Sequence, residues 1–154
     1  MSNAETKTPT YYNSTYRHGV DEKRRLQIPA KWRPADPELQ FTLILWTTPT
    51  QPHPCVMVLP PDVMADLLRK MKEMPFTDPK AESLRRLLGR KSDQVTMDKS
   101  GRICLPDSMA KGAGIDKEVV LIGMWDRFQI WNPERFESMS QFDDSLSNEA
   151  IKLI

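Results

Sequence analysis

The feature that most constrains the fold of this chain is a ten-residue block that occurs twice. Residues 20–29 return as residues 97–106, at an offset of 77, and Asp, Arg and Pro recur at matching positions. Further along, Pro61-Asp62 returns as Pro133-Glu134 at an offset of 72. The change in offset places five extra residues in the first copy, and we assign them to the Pro-rich loop at residues 47–54. The sequence therefore predicts a duplicated unit.

Each copy carries the same order of elements. A strand, a polar D-x-x-x-R turn and a second strand ending in Pro come first, and two apolar strands and a helix follow. The apolar strands are predicted at residues 41–46 and 55–59 in the first copy, and at residues 119–123 and 128–131 in the second. The first helix has an apolar face, and the second begins at Asn132-Pro133.

An extra helix is predicted between the copies. Asp78-Pro79 supplies a capping acid and a Pro at the first helical position. Leu84, Leu87 and Leu88 follow at helical spacing, which predicts a buried apolar stripe.

The repeat favours a mainly β, α+β fold. A single four-stranded copy has open edges, and two copies that pair can cover each other's edges. We therefore predict a pseudo-two-fold β-barrel with a helix after each repeat. The predicted segments are a flexible N-terminal segment (1–11), the first repeat with its helix (12–74), a linking helix (75–93), the second repeat with its helix (94–142) and an acidic C-terminal tail (143–154).

Charge is distributed unevenly along a chain whose net charge is only +1. Six basic residues fall between Tyr16 and Arg33, and seven fall between Lys80 and Arg102. Five acidic residues fall between Asn132 and Ala150. Two basic stretches in a nearly neutral chain indicate local sites for a polyanion.

The two turns hold the residues that we predict to bind DNA. Arginine presents a planar fork of donors that fits phosphate oxygens or the O6/N7 edge of guanine. The predicted DNA-binding residues are Arg25, Arg102, Lys23, Arg24 and Lys99. Asp21 and Asp98 would repel DNA, so we assign them to accepting backbone hydrogen bonds in the turn or to pairing with the Arg four residues later.

Other site types find little support in the sequence. Gly-rich phosphate loops, nucleophile elbows and His residues at metal spacing are all missing, so we predict no enzyme, no cofactor and no metal. Cys55 and Cys104 lie in apolar strands, which favours buried thiols. No apolar run approaches the roughly 18 residues of a membrane span. We expect a cytoplasmic protein without a membrane partner or a small-molecule substrate.

At these residues the chain resembles the MraZ family of bacterial transcription regulators, which are built from tandem AbrB-like, swapped-hairpin β elements. The resemblance covers about residues 12–142. It rests on the opening Tyr16-Arg17-His18-Gly19-Val20-Asp21, on the two D-x-x-x-R blocks, and on the segment Gly123-Met124-Trp125-Asp126-Arg127-Phe128-Gln129-Ile130-Trp131. Arg24 stands where the family usually has Gly, and Ser14 stands where it often has Gly.

The resemblance implies a regulator associated with the nucleoid, which acts on a bacterial division and cell-wall gene cluster. It also implies ring-shaped homo-oligomers that bind short direct repeats of promoter DNA, and we expect a repressor. The family's DNA-contacting arginine corresponds to Arg25, and its repeat partner to Arg102.

Two alternatives remain open. The basic turns could meet an acidic protein partner, which would make the chain an oligomeric scaffold that does not bind DNA. Arg85, Arg86, Arg90 and Lys91 could form a second basic face, either solvated or in contact with DNA.

Overall fold

The structure is a computed structural model that describes residues 9–154, and it has the predicted α+β class, with helices as prominent as strands. Its elements in chain order are β1 (Thr15–Gly19), β2 (Arg25–Gln27), β3 (Gln40–Trp46), β4 (Cys55–Leu59), α1 (Pro61–Glu73), α2 (Pro79–Arg90), β5 (Ser92–Thr96), β6 (Arg102–Cys104), α3 (Asp107–Gly112), β7 (Glu118–Gly123), β8 (Phe128–Trp131) and α4 (Pro133–Ala150). Two 3-10 helices cover Ala30–Trp32 and Ile151–Leu153.

The strand order reproduces the repeat. A six-stranded antiparallel sheet runs β1-β7-β8-β4-β3-β5, and a separate two-stranded sheet pairs β2 with β6. The counterparts in this sheet are β1 and β5, β3 and β7, and β4 and β8. When each strand is replaced by its counterpart, the same strand order is obtained in reverse. A pseudo-two-fold axis therefore passes between β4 and β8, as the duplicated sequence predicts.

The copies exchange strands across this axis. β1 pairs with β7 of the second copy, and β5 pairs with β3 of the first. Consequently β1 and β2 do not pair with each other, because the partner of β2 is β6. The first two strands of each copy therefore find their hydrogen-bonding partners in the other copy.

The expected closed barrel does not form among residues 9–154. β1 and β5 remain the two edges of the six-stranded sheet and do not pair with each other. β2 and β6 contain three residues each, and their register pairs them only with one another. The short strands therefore pack over the larger sheet instead of bridging its edges.

The main core lies between the two sheets. Leu26 of β2 and Ile103 of β6 point inward and are 1% exposed. They pack in one cluster with Trp32 of the first 3-10 helix and with Phe41 and other buried residues of the large sheet. The indole of Trp32 lies 4.9 Å from the ring of Phe128. Apolar burial of this kind, at roughly 25 cal/mol per Å², holds the two-stranded sheet in place.

The opposite face of the large sheet carries a smaller cluster. Ile44, Met57 and Leu59 point to that side and pack with Val63 of α1. The side chains of Leu67 and Leu88 cover this cluster in part. Helices α1 and α2 therefore lie on the side of the sheet away from β2 and β6.

Both predicted helix starts are confirmed. The side chain of Asp78 accepts a hydrogen bond from the backbone N–H of Lys80. The side chain of Asn132 accepts from the backbone N–H groups of Glu134 and Arg135. Each of these helices has Pro in its first turn, where the missing N–H costs nothing.

The predicted buried stripe of α2 is wrong at Leu84 and Leu87, whereas Leu88 is half-buried against the smaller cluster. Leu84 and Leu87 are 39% and 38% exposed, and Leu68 of α1 is 43% exposed. Helical periodicity identifies an apolar face, but no element of residues 9–154 buries its Leu84 and Leu87. Only Ala81 of α2 is buried.

Helix α3 was also missing from the prediction. It lies between β6 and β7, and the 3-10 helix Ala30–Trp32 occupies the matching place in the first copy. Six residues are too few to show a helical period, although Met109 and Ala110 reach the core. Of the segment predicted to be flexible (1–11), residues 1–8 lie outside the described residues. The other segment boundaries remain predictions.

Candidate nucleic-acid interface

The first D-x-x-x-R turn is organised by the carboxylate of Asp21. Its Oδ1 accepts hydrogen bonds from the backbone N–H groups of Lys23 and Arg25, both at 2.9 Å. Its Oδ2 accepts from the Nε of Arg25 at 2.8 Å. A backbone hydrogen bond from the N–H of Arg24 to the carbonyl of Asp21 closes the turn. One side chain thus shapes the turn and orients the guanidinium four residues later.

The second turn repeats these contacts atom for atom. The Oδ1 of Asp98 accepts from the backbone N–H groups of Ser100 and Arg102, at 2.9 and 3.0 Å. Its Oδ2 accepts from the Nε of Arg102 at 3.0 Å. The N–H of Gly101 donates to the carbonyl of Asp98. Both roles considered for the aspartates are therefore present in the same side chain.

Hydrogen bonding stabilises the charged form of both carboxylates. The backbone N–H of Arg25 is the largest cause that lowers the pKa of Asp21 below 3.8. The backbone N–H of Arg102 is the largest cause of the lowered pKa of Asp98. The carboxylates of Asp21 and Asp98 are therefore ionised at neutral pH.

The pairing of β2 with β6 brings the two turns to opposite ends of one short ribbon. Arg25 faces Cys104 across the ribbon, and Gln27 faces Arg102. Leu26 and Ile103 point into the core, so the other four side chains point outward. We call this outward side of β2 and β6, with its two turns, the ribbon face.

Arg25 and Arg102 share the ribbon face and are partly exposed. Their side chains are 33% and 29% exposed, respectively. The NH1 of Arg102 also lies 3.9 Å from the Oδ2 of Asp21, in the other copy. Each Nε is held by its aspartate, which restrains the guanidinium. Such restraint lowers the entropy cost of binding an oxyanion.

The residues at the tips of the turns differ between the copies. Arg24 and Gly101 occupy matching positions and both have a left-handed backbone, with φ of 62° and 81°. The Nε of Arg24 donates to the carbonyl of Leu105 at 3.0 Å. Lys23 and Lys99 are exposed. The structure thus brings all five predicted DNA-binding residues to the ribbon face or its turns.

Cys104 contradicts the expectation of two buried thiols. Cys55 is buried, and burial is the largest cause that raises its pKa to about 12. Cys104 is exposed on the ribbon face, and its thiol donates to the carbonyl of Lys23 at 3.2 Å. The alternation of β6 turns Ile103 inward and so turns its neighbour outward.

A further basic residue lies at this face although the D-x-x-x-R pattern does not include it. Arg33 follows the 3-10 helix after β2 and is exposed. Its Nε donates to the carbonyl of Ile28 at 2.9 Å, and its NH2 donates to the Oε1 of Gln27 at 2.8 Å. Arg33 closes the basic stretch that begins at Tyr16, and that stretch is the sequence signal that could have identified it.

The basic residues of α2 belong to a different surface. The helix packs on the side of the large sheet opposite the ribbon. There Arg85 donates to the carbonyl of Met71, and Arg86 pairs with Glu82 at 3.4 Å. The structure therefore separates this basic group from the two turns.

Residues 9–154 lack the features of two other kinds of site. No helix there combines the length and the apolar character needed to cross a membrane. No group of three or more His, Cys, Asp or Glu side chains is arranged there to hold a metal ion.

Comparison with known proteins identifies the family. Residues 89–152 match the family model described as "MraZ protein, putative antitoxin-like". A protein of Herpetosiphon aurantiacus named transcriptional regulator MraZ is 36% identical over 138 residues, which is 90% of each chain. The protein of that name from Clostridium tetani is 34% identical over 136 residues, covering 88% of this chain and 90% of the relative. With this identity over nearly its whole length, the chain belongs to the MraZ family.

Proposed function

We propose that this protein is a transcription regulator that binds double-stranded DNA in a sequence-specific manner through the ribbon face. One observation carries the proposal: two matching turns hold Arg25 and Arg102 on a single outward face. A two-stranded ribbon fits the major groove, where a bidentate arginine contact selects guanine. The relatives' names support the role in transcription, and the proposed activity is binding without catalysis.

The target and the outcome of binding are part of the same proposal. We expect short direct repeats in the promoter of a division and cell-wall gene cluster, with repression as the result. The site of action would be the nucleoid, within the cytoplasm. The resemblance of both D-x-x-x-R blocks to the family pattern supports these features.

We also propose that the chain works as a closed, ring-shaped homo-oligomer. The apolar face shared by α1 and α2 supports this proposal, because Leu68, Leu84 and Leu87 are exposed in the single chain. Several copies on tandem repeats would gain affinity through effective concentration. Light scattering at micromolar protein tests this directly, and a monomer would contradict it.

The test of DNA binding uses fluorescence anisotropy with the full chain and a labelled promoter duplex. The logarithm of the affinity should fall with the logarithm of salt concentration, by about 0.9 for each phosphate neutralised. A scrambled duplex of the same length measures the non-specific part. A chain that binds neither duplex at low salt would contradict the proposal.

A protein–protein scaffold is the second candidate function, and the same exposed apolar face favours it. A scaffold would use α1 and α2 without any need for the ribbon face. It would therefore show no salt-dependent affinity for duplex DNA, while its assembly in light scattering would remain intact. The anisotropy experiment separates the two functions.

A further inference from the structure

The two copies differ in the residue at the tip of the turn, which has a guanidinium group in only one of them. In the first copy Arg24 occupies the tip of the turn and carries its own side chain there. In the second copy the matching residue is Gly101, which has none. The D-x-x-x-R pattern alone therefore leaves the second end of the ribbon one cation short.

Arg33 fills the space that Gly101 leaves. Gly101 is buried although it lies at the tip of a turn. A Cβ atom added to Gly101 would overlap the Nε, Cζ and NH1 atoms of Arg33. The guanidinium of Arg33 therefore lies directly against the second turn.

Hydrogen bonds place the two guanidinium groups at matching points. The Nε of Arg24 donates to the carbonyl of Leu105, and the Nε of Arg33 donates to the carbonyl of Ile28. Leu105 and Ile28 are counterparts in the repeat. Their backbone N–H groups also donate to counterpart carbonyls, those of Arg24 and Gly101. The pseudo-two-fold axis thus relates two guanidinium groups that come from unrelated positions in the sequence.

The four arginines are arranged in order along the ribbon. Arg24 lies at one end, and the inner residues Arg25 and Arg102 come next. Arg33 lies at the other end, beside Gly101. In a DNA interface, contacts to the sugar–phosphate backbone fix the position of the protein, and contacts to the base edges read the sequence.

We propose that Arg33 is a DNA-contacting residue, the counterpart of Arg24, and that these two guanidinium groups bind backbone phosphates on either side of the bases contacted by Arg25 and Arg102. This inference rests on the proposed function. It adds to it a residue outside the D-x-x-x-R pattern and a division of labour between an outer and an inner pair.

The test compares Arg33→Ala with Arg69→Ala, in the full chain, on the promoter duplex and the scrambled duplex. Arg69 is an exposed α1 residue paired with Asp66, and it serves as the matched control. Loss of a charge-assisted phosphate contact should weaken binding about tenfold. Because phosphates carry no sequence, both duplexes should lose affinity equally, and the salt slope should fall by about 0.9 per engaged subunit.

A swap variant keeps the proposal testable if Arg33→Ala disturbs folding. The double variant Gly101→Arg/Arg33→Ala gives the second turn the arrangement of the first, with the guanidinium supplied by the turn itself. It should recover most of the affinity that Arg33→Ala loses. A folded double variant that recovers none would overturn the inference.

The remaining outcomes separate this inference from the proposed function. If the wild-type chain binds the promoter duplex and Arg33→Ala binds as tightly with the same salt slope, the inference alone fails. A loss confined to the promoter duplex would also overturn it, because it would assign base readout to Arg33. If the wild-type chain binds no duplex, both proposals fail.

Discussion

The two turns at the ends of the ribbon share their framework and differ at their tips. Asp21 and Asp98 make matching hydrogen bonds to two N–H groups and one guanidinium each. The residue with a left-handed backbone at the tip of the turn is Arg24 in the first turn and Gly101 in the second. The comparison shows that the repeat preserves the position of a cation in space without preserving its position in the sequence.

Each solution has a physical cost. A left-handed backbone costs a residue with a Cβ about 1–2 kcal/mol, and Arg24 bears that strain. Gly101 avoids the strain but brings no side chain, and Arg33 supplies the guanidinium from a neighbouring segment. The first turn thus places the left-handed backbone and the charge in one residue, and the second divides them between Gly101 and Arg33.

The largest expected effect comes from removing the inner arginines. Arg25→Ala and Arg102→Ala should each weaken binding to the promoter duplex between about fivefold and more than a hundredfold, because a bidentate base contact is worth about 1–3 kcal/mol. Binding to a scrambled duplex should weaken less. Anisotropy titrations of both duplexes measure this, with Arg69→Ala as control. If one variant binds promoter DNA normally, the two turns are not functionally equivalent.

Exchanging residues at the two tips should change stability in opposite directions. Arg24→Gly relieves the left-handed strain and should raise the free energy of unfolding by up to about 1 kcal/mol, while lowering DNA affinity. Gly101→Ala adds strain and overlaps Arg33, so it should lower that free energy by about 1–2 kcal/mol. Urea denaturation measures both. Changes of the same sign would show that the tips are not governed by backbone strain.

Removing the shared framework should loosen either turn to a similar extent. Asp21→Ala and Asp98→Ala each delete the acceptor of two backbone N–H groups and one guanidinium. Both variants should melt at a lower temperature than the corresponding Asn variants, since Asn keeps an acceptor oxygen. Differential scanning calorimetry provides the measurement. Ala and Asn variants with identical melting temperatures would exclude the backbone hydrogen bonds as the stabilising contacts.

The smallest expected effect is a titration common to both turns. The pKa values of Asp21 and Asp98 are lowered in the folded chain, chiefly by backbone hydrogen bonds. The stability that these carboxylates contribute is therefore present above pH 3.8 and is lost as the pH falls through their lowered values. Carboxyl carbon NMR of the wild-type chain follows each group. An unshifted titration in one turn would separate it from the other.

Local sequence patterns were sufficient for the elements that depend on local physics. The strands at residues 40–46 and 55–59 were located to within a residue of their bounds. Both helix caps followed from Asp or Asn before Pro. The repeat also predicted that the turns would be related by symmetry. Each of these inferences uses residues that lie close together in the chain.

Expectations failed where the answer depended on what covers a side chain. Leu84 and Leu87 were expected to be buried and are exposed, because helical periodicity does not reveal whether a partner surface exists. Cys104 was expected to be buried and is exposed, because the inward position of β6 is taken by Ile103. The prediction of a barrel failed for a related reason. Strand length and register decide whether a sheet closes, and these depend on contacts between distant segments.

The sequence by itself determined the duplication and the turn chemistry. It also determined, through the alternation of apolar and polar residues, which side chains of β2 and β6 face the core. Only the tertiary structure decided that β2 pairs with β6, and that Arg33 comes to stand against Gly101. The physical reason is distance along the chain. Hydrogen bonds within a turn depend on residues a few positions apart, whereas the partner of a strand and the occupant of an empty space are chosen by packing among residues far apart in sequence.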